Sequence, residues 1–188
     1  MSPLSVALDR WEAALIRAHV PGARYLGAGL NTGEVEDVLR GEGLQAVPDI
    51  VTFFSWHNGY AAGRPNESML DPAGGHLLPL TQALEDYRGN LGAYLQDMDP
   101  GWFPIMARTG GWLAVDCRPD SGSPGQLRVS TYCEPLAICP SLTTVVGWWT
   151  KRLETGTWLY TPPGEAVRGW VIADRPAPET LESASGLV

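Results

Sequence analysis

Apolar residues recur at the spacing of an α-helix near the start of the chain. Ser2 is a favoured capping residue, and Pro3 suits the first position of a helix. The apolar face that follows is made of Leu4, Leu8, Trp11 and Leu15. We predict that this helix ends near His19, because Val20-Pro21-Gly22 disfavours its continuation.

Two further helices are predicted before the middle of the chain. The first runs from about residue 32 to Gly41, with Asn31 or Thr32 as its cap. The second begins at Pro48 and ends at Asn58-Gly59. Asn-Gly is also a hairpin signal, but the apolar residues that precede it favour the end of a helix.

Two more helices are predicted in the second half of the chain, with Thr81 and Ser141 as their caps. The helix after Thr81 carries on one face Leu84, Tyr87, Leu91 and Leu95. The helix after Ser141 ends near Gly156 and carries Leu142, Val145, Trp149 and Leu153. A polar, Gly- and Pro-rich loop is predicted between Tyr60 and Gly75.

Short stretches with strand character lie mostly between these helices. They are Gly75–Leu80, Trp102–Ala107, Trp112–Cys117, Gln126–Cys133 and Gly169–Ala173. Because the strands cluster and do not alternate with helices, the chain is predicted to be an α+β protein with adjacent antiparallel strands. We assign residues 1–174 to a single domain and predict a disordered tail at 175–188, where Pro, Glu, Ser and Ala dominate.

The composition is that of a folded protein. The chain has 188 residues, of which 44% are hydrophobic and 18% charged, and this suits one domain with a substantial core. The net charge of −8 disfavours nucleic acid and favours a basic protein partner. Neither a signal peptide nor an apolar run long enough for a membrane helix is recognised. We therefore expect a cytoplasmic protein with free thiols at Cys117, Cys133 and Cys139.

Acidic residues concentrate in two groups. The first group consists of Glu34, Glu36, Asp37, Glu42 and Asp49, and Arg40 is the only positively charged residue among them in the sequence. The second group consists of Glu85, Asp86, Asp97 and Asp99, and Arg88 is the positively charged residue among them in the sequence. A solvated acidic surface is the simpler interpretation. Because charge complementarity speeds the capture of a basic partner, we also treat these residues as candidate partner-binding residues.

The residues that could support catalysis or metal binding lack a recognisable pattern. A thiol nucleophile would need one of the three cysteines beside His57 or His76, and no local signature supports such a pair. His57, Asp71 and His76 are spaced unlike the ligands of a known metal site. We predict buried cysteines, a structural His57, and no catalytic, cofactor-binding or metal-ligating residue.

Landmark residues follow one another in a recognisable order. They are Trp11 in the opening helix, Val47-Pro48 to Phe54 running into His57-Asn58-Gly59, Leu78-Pro79-Leu80, Trp102-Phe103-Pro104-Ile105, the Gly110-Gly111 turn, Trp112 to Cys117 with Asp116, a strand that starts at Gly125, and the Ser141 helix. This order, over roughly Leu4 to Thr157, resembles the SUKH superfamily. That superfamily includes the Smi/Knr group of yeast cell-wall assembly regulators and bacterial immunity proteins of polymorphic toxin systems.

The resemblance implies a mixed, mostly antiparallel sheet packed by helices, with no enzymatic activity and no cofactor. It also implies structural roles for the landmark residues. Asn58-Gly59 would close a helix, Pro104 would lie at a strand edge or bulge, and Asp116 would anchor a turn. The segment 156–173 departs from the family, because it extends past the usual final helix.

Two functions follow from the resemblance. The first is an immunity protein that neutralises a cognate toxin, such as a nuclease, by binding it directly. The alternative is a regulatory adaptor that binds endogenous proteins, as in the yeast branch. A small hydrolase using Cys117 or His57 is a third hypothesis, which no motif supports.

Overall fold

The computed structural model describes residues 1–61, 69–70, 72, 75–93, 100–108, 111–131, 134–139, 141–161 and 169–172. Most of the predicted loop between Tyr60 and Gly75 and the predicted tail at 175–188 lie outside these residues. Among the residues described, no helix is both long and apolar enough to cross a membrane.

Five α-helices are described, and their limits are close to those predicted. They are α1 (Pro3–Arg17), α2 (Thr32–Gly41), α3 (Pro48–Trp56), α4 (Leu80–Ala93) and α5 (Leu142–Glu154). The Ser2 hydroxyl accepts a hydrogen bond from the Ser5 N–H at 3.1 Å, which confirms the predicted first cap. Asn31 and not Thr32 caps α2, since its side-chain oxygen accepts from the Gly33 N–H at 2.9 Å.

A short 3₁₀ helix at Pro21–Tyr25 lies in the connection between α1 and α2. A proline at its first position suits such a turn. The connection then pairs with the end of α3, because the Gly27 N–H donates to the Gly59 carbonyl at 2.9 Å and the Leu30 N–H donates to the Phe54 carbonyl at 2.9 Å. These bonds fix the position of α3 beside the loop that leads into α2.

The main sheet has five strands in the order β1-β2-β3-β4-β5, and each described pair is antiparallel. The strands are β1 (His76–Leu77), β2 (Trp102–Arg108), β3 (Gly111–Asp116), β4 (Leu127–Thr131) and β5 (Glu134–Cys139). With helices packed around this sheet, the predicted α+β class is confirmed. The register shifts between Pro104 and Met106, which confirms the predicted position of Pro104 at a bulge.

A separate antiparallel hairpin follows α5. It consists of β6 (Trp158–Thr161) and β7 (Gly169–Ile172). The last strand agrees with the prediction at 169–173, whereas β5 and β6 are strands that the sequence pattern does not predict. Two strands alone are marginally stable, and the hairpin gains support because Trp158 is buried in the core cluster.

Aromatic rings tie the helices to one another and to the sheet. The ring centroid of Trp11 in α1 lies 5.0 Å from that of Trp149 in α5 and 5.9 Å from that of Trp56 in α3. Phe54 in α3 meets Phe103 in β2 at 6.2 Å, edge to face. Large aromatic side chains contribute much of the buried apolar area of a core. The three helices therefore share one core with the sheet.

The start of α4 differs from the prediction. The sequence predicts Thr81 as the cap of this helix, but the helix begins one residue earlier, at Leu80. The cap comes from a distant residue, since the Asn58 side-chain oxygen accepts from the Leu80 N–H at 2.8 Å. The prediction of Thr81 as a cap was wrong because a side chain twenty-two positions away from Leu80 in sequence supplies the acceptor.

Replacing Asn58 with alanine should lower the free energy of unfolding by about 1–2 kcal/mol, because the partly buried Leu80 N–H loses its acceptor. Urea denaturation followed by circular dichroism measures this change. Thr81→Ala is the matched control, since Thr81 is exposed on the same helix turn and should change stability by about 0.5 kcal/mol or less. Equal effects of the two substitutions would contradict the cap assigned to Asn58.

Candidate functional site

An ion pair links part of the first predicted acidic group to part of the second. Glu34, Glu36 and Asp37 lie on α2, and Glu42 lies immediately after it. The Glu42 carboxylate pairs with Arg88 of α4, where the Arg88 Nε–H donates to Glu42 Oε2 at 3.1 Å. This pair joins the end of α2 to α4, the helix that also carries Glu85 and Asp86 of the second group. We call the combined side chains the acidic surface: Glu34, Glu36, Asp37, Glu42, Glu85 and Asp86.

Two arginines partly neutralise the acidic surface. Arg40 lies 2.5 Å from Glu36 and 2.8 Å from Asp37, at the spacings typical of pairs along a helix. Arg88 holds the pKa of Glu42 below its ordinary value through its hydrogen bond. Six carboxylates against two guanidiniums leave an excess of negative charge on this surface. The ion pairs of Arg40 are exposed and contribute little to stability.

Two of the candidate acidic residues, Asp86 and Asp49, form hydrogen bonds within the fold. Asp86 accepts from the Gln82 amide at 2.9 Å and faces the Trp112 indole N–H at 3.4 Å. Asp49, in the first turn of α3, is half-buried against the start of α5, where the Leu142 N–H donates to it. Burial raises the pKa of Asp49, and the Leu142 N–H opposes that effect. Asp49 therefore lies apart from the acidic surface.

The remaining candidates differ in accessibility. Asp97 and Asp99 lie outside the described residues. Glu34 and Glu85 are exposed, and neither carboxylate has a partner within the part of the chain that the structure describes. These two glutamates are the side chains most available for contact with a partner.

The two described cysteines lie in the interior of the protein. Cys117 and Cys139 are fully buried, and Cys133 lies outside the described residues. Burial, with a smaller effect from the charge of Asp116, raises the pKa of Cys117 to about 12. Its thiol therefore stays protonated at neutral pH and is a poor nucleophile.

His57 joins three parts of the fold. Its Nδ1 lies 2.7 Å from the Gly27 carbonyl oxygen, and its Nε2 lies 3.2 Å from a carboxylate oxygen of Glu12 in α1. These contacts link the end of α3 to α1 and to the preceding loop, in agreement with the predicted structural role. Asp71 lies outside the described residues. Among those described, no three His, Cys, Asp or Glu side chains are grouped to hold a metal ion.

Three of the landmark residues, Asn58, Gly59 and Asp116, form two joints between backbone segments. In the first, Asn58 caps α4, and Gly59 lies against the Leu78-Pro79 backbone with a φ of 63°. The Leu78 N–H extends this joint by donating to the Ile105 carbonyl at 3.0 Å. The first joint therefore positions α4 against the end of α3 and against β2.

The second joint is centred on the buried carboxylate of Asp116. It accepts from the Arg118 backbone N–H at 3.0 Å, from the guanidinium at 3.0 and 2.7 Å, and from the Ser121 hydroxyl at 2.6 Å. Burial raises the pKa of Asp116, but the bonds from Arg118 and Ser121 outweigh it and hold the pKa below its ordinary value. Asp116 thus anchors the turn after β3, as predicted.

A groove that the sequence does not predict lies at the ends of α1 and α5, next to β6. Its volume is about 300 Å³, and its lining comprises Ala14, Arg17, Ala18, Leu153, Glu154, Trp158, Leu159 and Tyr160. The available signal was the concentration of aromatic residues after Gly156. That signal did not reveal the groove, because the side chains come from two helices and a strand far apart in sequence.

Neither a protein-family model nor a curated protein matches this sequence.

Proposed function

We propose that this chain is a SUKH-like, non-enzymatic protein-binding domain, and that it acts as an immunity protein by binding a basic toxin. The observation that carries the proposal is the acidic surface formed by α2 and α4. On it, Glu34 and Glu85 present carboxylates with no partner among the described residues. A nuclease must attract the phosphates of its substrate, and an acidic protein surface attracts the same basic channel.

The placement of the other reactive side chains supports binding over catalysis. The Cys117 thiol is buried with a raised pKa, and both ring nitrogens of His57 already face acceptors in the fold. The ordered landmarks of the sequence supply the family part of the proposal. Asn58 and Asp116 lie at backbone joints, where they maintain the scaffold. Such structural landmarks are compatible with a binding domain whose solvent-facing side chains select the partner.

The mechanism requires no chemistry from this chain. The excess negative charge steers a basic toxin toward α2 and α4, and the bound domain then covers the channel through which the toxin reaches its substrate. Charge complementarity of this kind mainly raises the association rate. Binding should therefore weaken as salt screens the carboxylates.

The test begins with capture of partners on the tagged protein from its own host lysate, at low and at moderate salt. We expect a basic, toxin-like protein that is retained at low salt and whose activity falls when the domain is added. Recovery of endogenous proteins without toxic activity, at either salt, would instead favour the adaptor function.

The captured partner then allows a sharper measurement. The double substitution Glu34→Gln with Glu85→Gln should slow association at low salt by about tenfold, because it removes two unpaired carboxylates without changing side-chain size. Stopped-flow or surface plasmon resonance measures the rate. Asp9→Asn with Asp120→Asn is the matched control, since both residues are exposed and lie outside the acidic surface. An equal slowing by both pairs would show that net charge, and not this surface, governs capture.

A further inference from the structure

The groove at the ends of α1 and α5 combines an apolar floor with an accessible rim. Ala14, Leu153 and Trp158 are buried and form the floor. Leu159 of β6 stands at the rim with 47% of its surface exposed. The whole groove, about 300 Å³, also contains the charged side chains of Arg17 and Glu154. Its apolar part, which we call the apolar slot, is suited to receive an apolar side chain from outside.

Among the described residues at the ends of α1 and α5, cations outnumber carboxylates, in contrast to the acidic surface. Arg17 lies in the last turn of α1, Lys151 and Arg152 lie in the last turn of α5, and Arg10 reaches Glu154 from the middle of α1, although the chain as a whole is acidic. Arg152 rests over the ring of Trp158, with its guanidinium carbon 5.6 Å from the ring centroid. The sign of the local charge therefore favours an anionic group next to the apolar slot.

One carboxylate already shows how these arginines bind an anion. Glu154 accepts from Arg10 at 2.5 and 3.0 Å, whereas its contact with Arg17 is a single one at 3.4 Å. Within the described part of the chain, this single carboxylate lies between two guanidiniums, so their pairing leaves one positive charge in excess. Arg17 is the looser of the two partners, its side chain is 61% exposed, and it lines the groove.

We propose that this groove binds an acidic peptide segment of a partner protein, with an apolar side chain in the slot and a neighbouring carboxylate on Arg17. Arginine and large aromatic residues are the types that most often dominate protein interfaces. The site is distinct from the acidic surface on α2 and α4. It would give the domain a second partner surface of opposite charge.

Fluorescence anisotropy with labelled short peptides tests the proposal on the full chain. The probe is a peptide in which leucine alternates with glutamate, and its counterpart has lysine in place of each glutamate. We expect saturable binding of the glutamate peptide alone, weaker at higher salt. No saturable binding of the glutamate peptide below about 1 mM, or equal binding of both peptides, would overturn the proposal.

Substitutions then locate the site. Arg17→Glu should weaken binding of the glutamate peptide by about tenfold, and Leu159→Ser by about fivefold through loss of apolar contact. Arg24→Glu makes the same charge change at an exposed arginine outside the groove lining, and should alter binding by about twofold at most. Circular dichroism and thermal midpoints identify any variant that is misfolded. If both groove variants fold and bind like the parent, the peptide binds elsewhere and the proposal fails.

Discussion

Replacing Gly59 with alanine should lower the free energy of unfolding by about 4 kcal/mol or more. A Cβ atom at this position would lie 2.1 Å from the Pro79 nitrogen and 2.4 Å from the Leu78 carbonyl carbon. Both are backbone atoms, so neither can move aside without separating α4 from the end of α3. The thermal midpoint should fall by about 10 °C or more.

Gly43→Ala separates this clash from backbone strain. Gly43 has a φ of 73°, close to the 63° of Gly59, but a Cβ atom added to Gly43 would have no atom within 4 Å beyond its own chain neighbours. We expect this control to lose only about 1–2 kcal/mol, which is the strain of the left-handed conformation for alanine. Similar losses for the two variants would mean that the close approach at Pro79 does not govern the stability of this joint.

Replacing Asp116 with asparagine should lower the free energy of unfolding by about 2–3 kcal/mol at neutral pH. The side chain of Asp116 is buried, and its charge is balanced by the Arg118 guanidinium. Because 35% of the Arg118 side chain remains exposed, water partly compensates the arginine, and the loss is smaller than for a fully buried pair. Asp120→Asn is the matched control, since Asp120 lies exposed in the same loop and should change stability by about 0.5 kcal/mol or less.

The effect of Asp116→Asn should depend on pH in a defined direction. The folded protein holds the pKa of Asp116 below its ordinary value, so the carboxylate stabilises the fold above the unfolded-state pKa. That contribution is lost as the pH falls through the lowered, folded-state pKa. Urea unfolding across a pH series should therefore show parent and variant converging in strongly acidic solution. A difference that stays constant down to that range would contradict the assigned charge pair.

The helices were largely predictable because their signals are local. Ser2, Asn31 and Ser141 each accept a hydrogen bond from an N–H two or three residues ahead, so cap and helix are visible in one short stretch of sequence. The cap of α4 was not visible in this way, because Asn58 reaches it through the fold. The local sequence predicted Thr81 as the cap of this helix, whereas in the folded chain the Asn58 side chain accepts the hydrogen bond from its first N–H.

The missed strands have physical reasons of their own. β5 includes Pro135, which lacks an N–H for the ladder and weakens the sequence signal of a strand. β6 has only four residues and follows α5 after a short turn, where periodicity is too brief to distinguish a strand from a loop. Both strands are defined by their partners, β4 and β7, and not by their own pattern.

The candidate site was predictable as a set of charges but not as a surface. The sequence shows which carboxylates have few cations near them along the chain. It does not show that Glu42 pairs with Arg88, because the two residues are forty-six positions apart, and this pair joins α2 to α4. Asp49 illustrates the opposite case. It is close to Glu42 in sequence, but it turns toward the Leu142 N–H of α5 and leaves the acidic surface.

The two joints also have a practical consequence for protein engineering. Asn58, Gly59 and Asp116 bond to backbone or to buried neighbours, whereas Glu34 and Glu85 face solvent and make no contact that the described fold requires. Under the proposed function, exchanging the outward side chains of α2 and α4 between chains that share the two joints should therefore transfer partner specificity while leaving the scaffold intact.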